Sequence, residues 1–279
     1  MTGKKRQIIV SLLNHVLLSA MSAAMLVPIV WSLITSFQKE SAIHRYPPGI
    51  ELQSLVFENY VRAFTAHPVG RFILNTIFLS TVSVAIALAI SVFSAYVLSR
   101  HQFKIKPHLL IFILFPMMVP GLTNLIPLYA VFGRLGLIDT YAGLIIMYLP
   151  GVLPFSIWVL KNFFDSVPVE IEESAQIDGC AGLRMIASIV APIAMPGLVA
   201  VSVINFVRVW NEFVMTLIFT TSTKMKTIAV GIYYFLSFDN VEIGALNAAA
   251  MATLIPIVLF FIAMKNKFIA GMAEGAVKG

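Results

Sequence analysis

Long apolar runs separated by short polar stretches set the pattern of this chain. Six runs are long enough to cross a bilayer, at about 12–37, 72–98, 109–129, 141–160, 197–219 and 245–264. A helix rises 1.5 Å per residue, so about 20 apolar residues cross a ~30 Å hydrocarbon core. In lipid, backbone groups must be paired within their own segment or in a closed barrel. Barrel strands alternate apolar and polar positions over ~10 residues, whereas these runs are continuous. The pattern predicts an all-α polytopic membrane protein, a single transmembrane domain over 1–279 with a polar loop at 161–196 and a tail at 265–279.

Composition agrees. Of 279 residues, 59% are apolar and 11% charged, against about half and a quarter in soluble domains. The single cysteine, Cys180, offers no internal disulfide and no metal cluster. The net charge of +6 comes from Lys and Arg in short clusters beside apolar runs. That placement marks topology rather than a phosphate-binding face, so lipid and not nucleic acid is the expected surrounding. With the N-terminus inside, eleven basic residues fall on the cytoplasmic side, including Lys4, Lys5, Arg6, Arg100, Lys104, Lys106 and Lys161, and seven fall outside. The bias favours both termini in the cytoplasm. Lys4-Lys5-Arg6 and the run after it resemble a signal peptide, but the run continues through Trp31 and Ile34 and reads as an uncleaved first span.

Two polar stretches, 38–71 and 221–244, lie outside; the first contains the loop signal Pro47-Pro48-Gly49. The third, 161–196, is cytoplasmic and far longer than a connector needs. Pro168 suits the first turn of a helix, and Glu170, Glu172 and Glu173 follow where the dipole favours carboxylates. Ile171 and Ala175 fall on one face, and Gly179 offers the positive φ that ends a helix. A second short helix is expected from about Ala181 to Val190, closed by Pro192. Helices resting on headgroups carry Lys and Arg on the polar face; the acids here favour a protein partner.

The residues Glu173-Ser174-Ala175, then Gly179, then Ile189-Val190-Ala191-Pro192, resemble the EAA loop of permease subunits in binding-protein-dependent ABC importers. Ser174 and Ala191 depart from that family's Ala and Leu. Trp210-Asn211-Glu212-Phe213, the stretch Leu135 to Gly143 and the tail Phe268 to Gly279 are similar to the carbohydrate-uptake branch, the group of the maltose permease MalG.

The resemblance implies a bacterial inner-membrane subunit in which Glu173, Ser174, Ala175, Asp178, Gly179 and Pro192 couple to a cytoplasmic ATPase dimer. Gly275, Lys278 and Gly279 of the tail would also reach that ATPase. A homologous second permease would complete the pathway, and an extracytoplasmic solute-binding protein would deliver a carbohydrate, most simply an oligosaccharide. The chain itself would bind no cofactor and be no enzyme, with ATP and Mg held by the ATPase. Consistently, no Gly-x-x-x-x-Gly-Lys-Ser/Thr loop occurs.

Ionisable groups inside a span are costly, which makes them candidates for function. Asn205, Arg208 and Glu212 are spaced to share one face, extended by Ser202 and Thr216, with Asn211 beside them. The stripe lines the translocation pathway, holds an Arg208–Glu212 pair that neutralises itself, or does both; an anionic sugar would suit Arg208. Pro116, Pro120, Gly121, Thr123, Asn124 and Pro127 predict a kink with a polar lining in the third span, Asn124 being a further pathway candidate. No His cluster, HExxH or G-x-S-x-G supports metal or nucleophilic chemistry. The alternative reading is an ion-gradient-driven secondary transporter of a small solute. It would need buried acids, and only Glu212 qualifies.

Overall fold

Four of the apolar runs stay helical for more than a bilayer's width, even through Pro28, Pro150, Pro154 and Pro256. The computed structural model describes residues 3–46, 49, 55–118, 121–236 and 241–276. Among them the chain is helical apart from turns and two isolated β-bridges. The helices are α1 (Gly3–Ser36), α2 (Glu40–Ile43), α3 (Glu58–Thr65), α4 (Val69–Arg100), α5 (Lys106–Leu114), α6 (Leu125–Arg134) and α7 (Tyr141–Asp165). They continue with α8 (Val169–Ile177), α9 (Gly182–Met185), α10 (Ala191–Ile193), α11 (Met195–Trp210), α12 (Val214–Phe219), α13 (Ile228–Gly231) and α14 (Ile243–Ala276). Four stretches are long and apolar enough to cross a membrane: Ile9–Ser36, Val69–Arg100, Tyr141–Asp165 and Ile243–Lys265. Pro47, Pro48, Pro120, Lys278 and Gly279 lie outside the described residues.

Two expected continuous spans are broken. Over 109–129 the helix stops at Leu114, passes through a 3₁₀ turn at Phe115–Met117 and another at Gly121–Asn124, and resumes as α6. Pro116 removes one ladder bond and crowds the carbonyl a turn earlier, so the tighter turn replaces the α geometry. Over 197–219, α11 ends at Trp210 and α12 begins at Val214. No proline sits there; Asn211 and Glu212 bond locally to backbone instead. α14 runs unbroken into the expected tail, through Pro256.

The chain forms two compact units. The first comprises Met1–Val69 and Ile232–Leu254. Here helix ends are closed by side chains. Asn59 donates to the backbone oxygens of Ser36 (3.0 Å), at the end of α1, and of Gln38 (2.7 Å), just beyond it. The Glu40 carboxylate accepts from the Ile243 and Gly244 amides at 2.8 and 3.0 Å, where the α14 dipole is positive. His67 lies 3.2 Å from Glu242 and packs on Phe235.

The second unit comprises Gly70–Gly231 and Ile255–Gly279 and is built around α4, α7 and α11. Lipid is as apolar as leucine, so helix association there relies on close packing through small residues. α4 provides Ser80, Ser83, Ala87, Ser91 and Ala95, all fully buried. Ala87 joins Leu144, Tyr148, Val152 and Val209, and two turns on Ala95 joins Leu160, Phe164, Val190 and Val201. On α11, Gly197 faces the Phe163 ring so closely that a Cβ would lie 2.4 Å from it.

The segment before α7 is a built turn. Asp139 adopts φ +60°, and its carboxylate accepts from the Thr221 and Ser222 amides, both at 3.0 Å. Thr140 caps α7 by accepting from Gly143 at 3.0 Å. Burial pushes the Asp139 carboxyl up, but the hydrogen bonds from Ser222 and Thr221 outweigh it and hold the group below its ordinary 3.8.

Candidate functional site

The loop 161–196 folds as a helical hairpin whose first arm is α8. Pro168 stands one residue before the helix, in extended geometry that suits a proline there. α8 ends in a Schellman motif. The Cys180 amide donates to the Ala175 carbonyl (2.9 Å) and the Gly179 amide to that of Gln176 (3.0 Å), with Gly179 at φ +79°. A residue with a Cβ is strained in that conformation, so glycine at 179 is a backbone requirement.

The second arm is longer than expected. Gly182–Ile193 is continuous through Pro192, with a π turn at Ile186–Val190 just ahead of the proline. That turn shifts the hydrogen-bond register where Pro192 could not have supplied its N–H. α11 then leaves at 82° to this arm.

The buried face of α8 is not the one expected. Glu172 and Ala175 are buried, while Ile171 is 40% exposed. The Glu172 carboxylate accepts from Arg100 Nε at 2.6 Å and from the Tyr96 hydroxyl at 2.8 Å. Arg100 also donates to the Val167 carbonyl (2.9 Å) and to the Ser99 hydroxyl (3.1 Å), and Ser99 donates to Asp165. Lys161 pairs with Asp165 one turn earlier on α7. Charge-assisted bonds thus fasten α8 to the end of α4, and α4 in turn to the end of α7. Breaking one partner of such a buried pair costs about 3–5 kcal/mol. The sequence reading grouped Glu172 with its exposed neighbours; its spacing of three from Ala175 was the available signal.

With that face anchored, and Met185, Ile186 and Val190 of the second arm also buried, the turn between the arms projects. Glu173, Ser174, Asp178, Gly179 and Pro192 are all exposed. So are two large apolar residues that were not among the expected coupling residues, Ile177 (87%) and Leu183 (70%), on either side of Gly179. Of the tail candidates, Gly275 falls within α14.

The polar stripe in the fifth run is divided. Asn205 is fully buried and donates to Ser156 of α7 at 2.6 Å. Arg208 and Asn211 are exposed, with Ile204 and Val207 on the same open face of α11. Asn205 and Arg208 stand only about 60° apart around the axis, and the boundary between packed and open faces falls between them. The Arg208–Glu212 pair is not formed: Glu212 instead accepts from the Met215 amide at 2.6 Å, and no hydrogen bond or ion pair reaches Arg208 among the described residues. Asn124 is exposed at the start of α6, with no bond to this group. No set of three or more His, Cys, Asp or Glu side chains could hold a metal among the described residues.

Comparison with known proteins covers both regions. The Sulfoquinovosyl glycerol transport system permease protein SmoH of Agrobacterium fabrum is 28% identical, over 91% of this chain and 89% of its own. The Trehalose/maltose transport system permease protein MalG of Thermococcus litoralis is 30% identical, over 93% of this chain and 94% of its own. A chain from the crystal structure of a bacterial ABC transporter involved in import of the acidic polysaccharide alginate shares the fold. Its TM-score is 0.81 at 20% identity, with 96% of this chain and 99% of that one covered. Residues 87–267, which include the hairpin and α11, match the model described as "Binding-protein-dependent transport system inner membrane component". The chain belongs to that family of ABC transporter permeases, as a membrane transport subunit and not an enzyme.

Proposed function

We propose that this chain forms half of the pathway of an ATP-driven oligosaccharide importer and receives force through the α8 hairpin. The observation that carries the reading is the hairpin's two-sided character. Glu172 ties one side into α4, while Ile177, Gly179 and Leu183 stand out on the other with Glu173 and Asp178 beside them. A rigid base with an exposed apolar tip suits insertion into a cleft of a partner. The partner is a cytoplasmic ATPase dimer that binds ATP and Mg, and its closure would pull the hairpin and the helices fastened to it.

On this reading the chain crosses the inner membrane six times with both termini in the cytoplasm. The third crossing is made jointly by α5 and α6 and the fifth by α11 and α12. A homologous second permease supplies the other half, and an extracytoplasmic solute-binding protein delivers the sugar. The relatives support a carbohydrate cargo: one is named for trehalose and maltose, another for sulfoquinovosyl glycerol, and the structural neighbour imports alginate. The tail residues Gly275, Lys278 and Gly279 are further contacts for the ATPase.

The test replaces the tip. Ile177→Glu with Leu183→Glu should abolish co-purification of the ATPase and oligosaccharide uptake, while the chain still enters the membrane at its usual level. Undiminished co-purification would overturn the docking assignment.

A further inference from the structure

Arg208 is a feature of α11 that neither packing nor the hairpin explains. It projects from the open side of a helix whose adjoining side, from Val201 through Asn205 to Val209, is buried. No acceptor reaches it among the described residues. The one carboxylate within two turns along the chain, Glu212, is turned to the Met215 amide. Elsewhere the same fold neutralises an arginine fully: Arg100 meets Glu172, Val167 and Ser99. A permanently charged group beside apolar Ile204 and Val207 is retained against its cost only where something pairs with it. Asn211, a turn further along the same face, donates to the Val207 carbonyl and keeps its side-chain oxygen for a hydroxyl donor. A guanidinium next to an amide is the pair of groups that would grip an acid group and a neighbouring hydroxyl on one ring.

We propose that Arg208 selects an anionic saccharide, its guanidinium pairing with a carboxylate or sulfonate of the cargo while Asn211 accepts from a sugar hydroxyl. This rests on the reading of the chain as a carbohydrate permease with the open face of α11 on the pathway. No covalent step is involved; the planar fork of arginine meets both oxygens of an acid group, which a neutral sugar cannot offer.

The experiment uses the complete transporter, with its second permease, ATPase and binding protein, in cells lacking other sugar uptake. The probes are a pool of uronic-acid oligosaccharides and the same pool with carboxyls reduced to primary alcohols. Wild-type chain should import the acidic pool faster than the reduced one. Arg208→Gln should lower uptake of the acidic pool about tenfold, the scale of one lost charge-assisted pair, and leave the reduced pool unchanged. Arg208→Lys should recover part of the loss. Equal loss for both pools would assign Arg208 to assembly and overturn the proposal, as would unchanged acidic uptake in Arg208→Gln or faster uptake of the reduced pool by wild type. Import of neither pool by wild type would defeat the carbohydrate reading itself, and the role of Arg208 with it.

Discussion

Asp139 shows what one side chain contributes to this fold. Its backbone sits at φ +60°, and its carboxylate joins the turn before α7 to the segment after α12 through the Thr221 and Ser222 amides. Asn tolerates the left-handed conformation and keeps an acceptor oxygen, whereas Ala does neither. Asp139→Ala should therefore cost about 1–3 kcal/mol, and Asp139→Asn clearly less, read as unfolding midpoints in detergent. The pH dependence follows from a carboxyl held below 3.8 in the fold. The charged form is the one the fold favours, so the contribution is complete above pH 3.8 and fades as pH falls through the folded value. The gap between wild type and Asp139→Asn should close in that acid range; a gap independent of pH would remove the charge from the account. Residues with a backbone reason were legible in the sequence. Gly179 was one, because a helix needs a positive φ to end in this way. Glu172 was not, since its partners Arg100 and Tyr96 lie more than seventy positions away.

Elements were legible by length and less so by continuity. Apolar runs announced α1, α4, α7 and α14, because lipid leaves the backbone no other way to pair its groups. The run at 109–129 carried its own warning in Pro116 and Pro127. The stop at Trp210 had no proline, only polar residues whose preference for local backbone bonds became visible in three dimensions. Between elements, the α7–α11 contact depends on a missing side chain. A Cβ at Gly197 would fall 2.4 Å from the Phe163 ring, near its base rather than its tip. Gly197→Ala should destabilise the chain by about 1–3 kcal/mol through overpacking. Phe163→Ala in the same background should recover part of that by removing the ring atoms that the new Cβ meets. Additive losses in the double variant would place the strain elsewhere.

At the scale of the whole molecule, the distribution of Lys and Arg, eleven to seven, predicts a sidedness that can be tested directly. The exposed tip offers a direct test because the chain has a single cysteine, Cys180, three residues from Ile177. With Cys180→Ser removing the native thiol, Ile177→Cys places one thiol at a position 87% exposed. A membrane-impermeant maleimide should then label inside-out vesicles and leave intact cells unlabelled. Adding the ATPase to the vesicles should slow the labelling, since a docked tip is shielded, and a thiol placed at Val61 of α3, exposed in the first unit, should label in the reverse pattern. Labelling of the tip in intact cells would invert the topology and take the ATPase reading with it. Labelling confined to inside-out vesicles but indifferent to the ATPase would keep the topology and move the docking surface off the hairpin. The two halves of the functional reading, which side the hairpin occupies and what it touches, therefore separate in one set of vesicles.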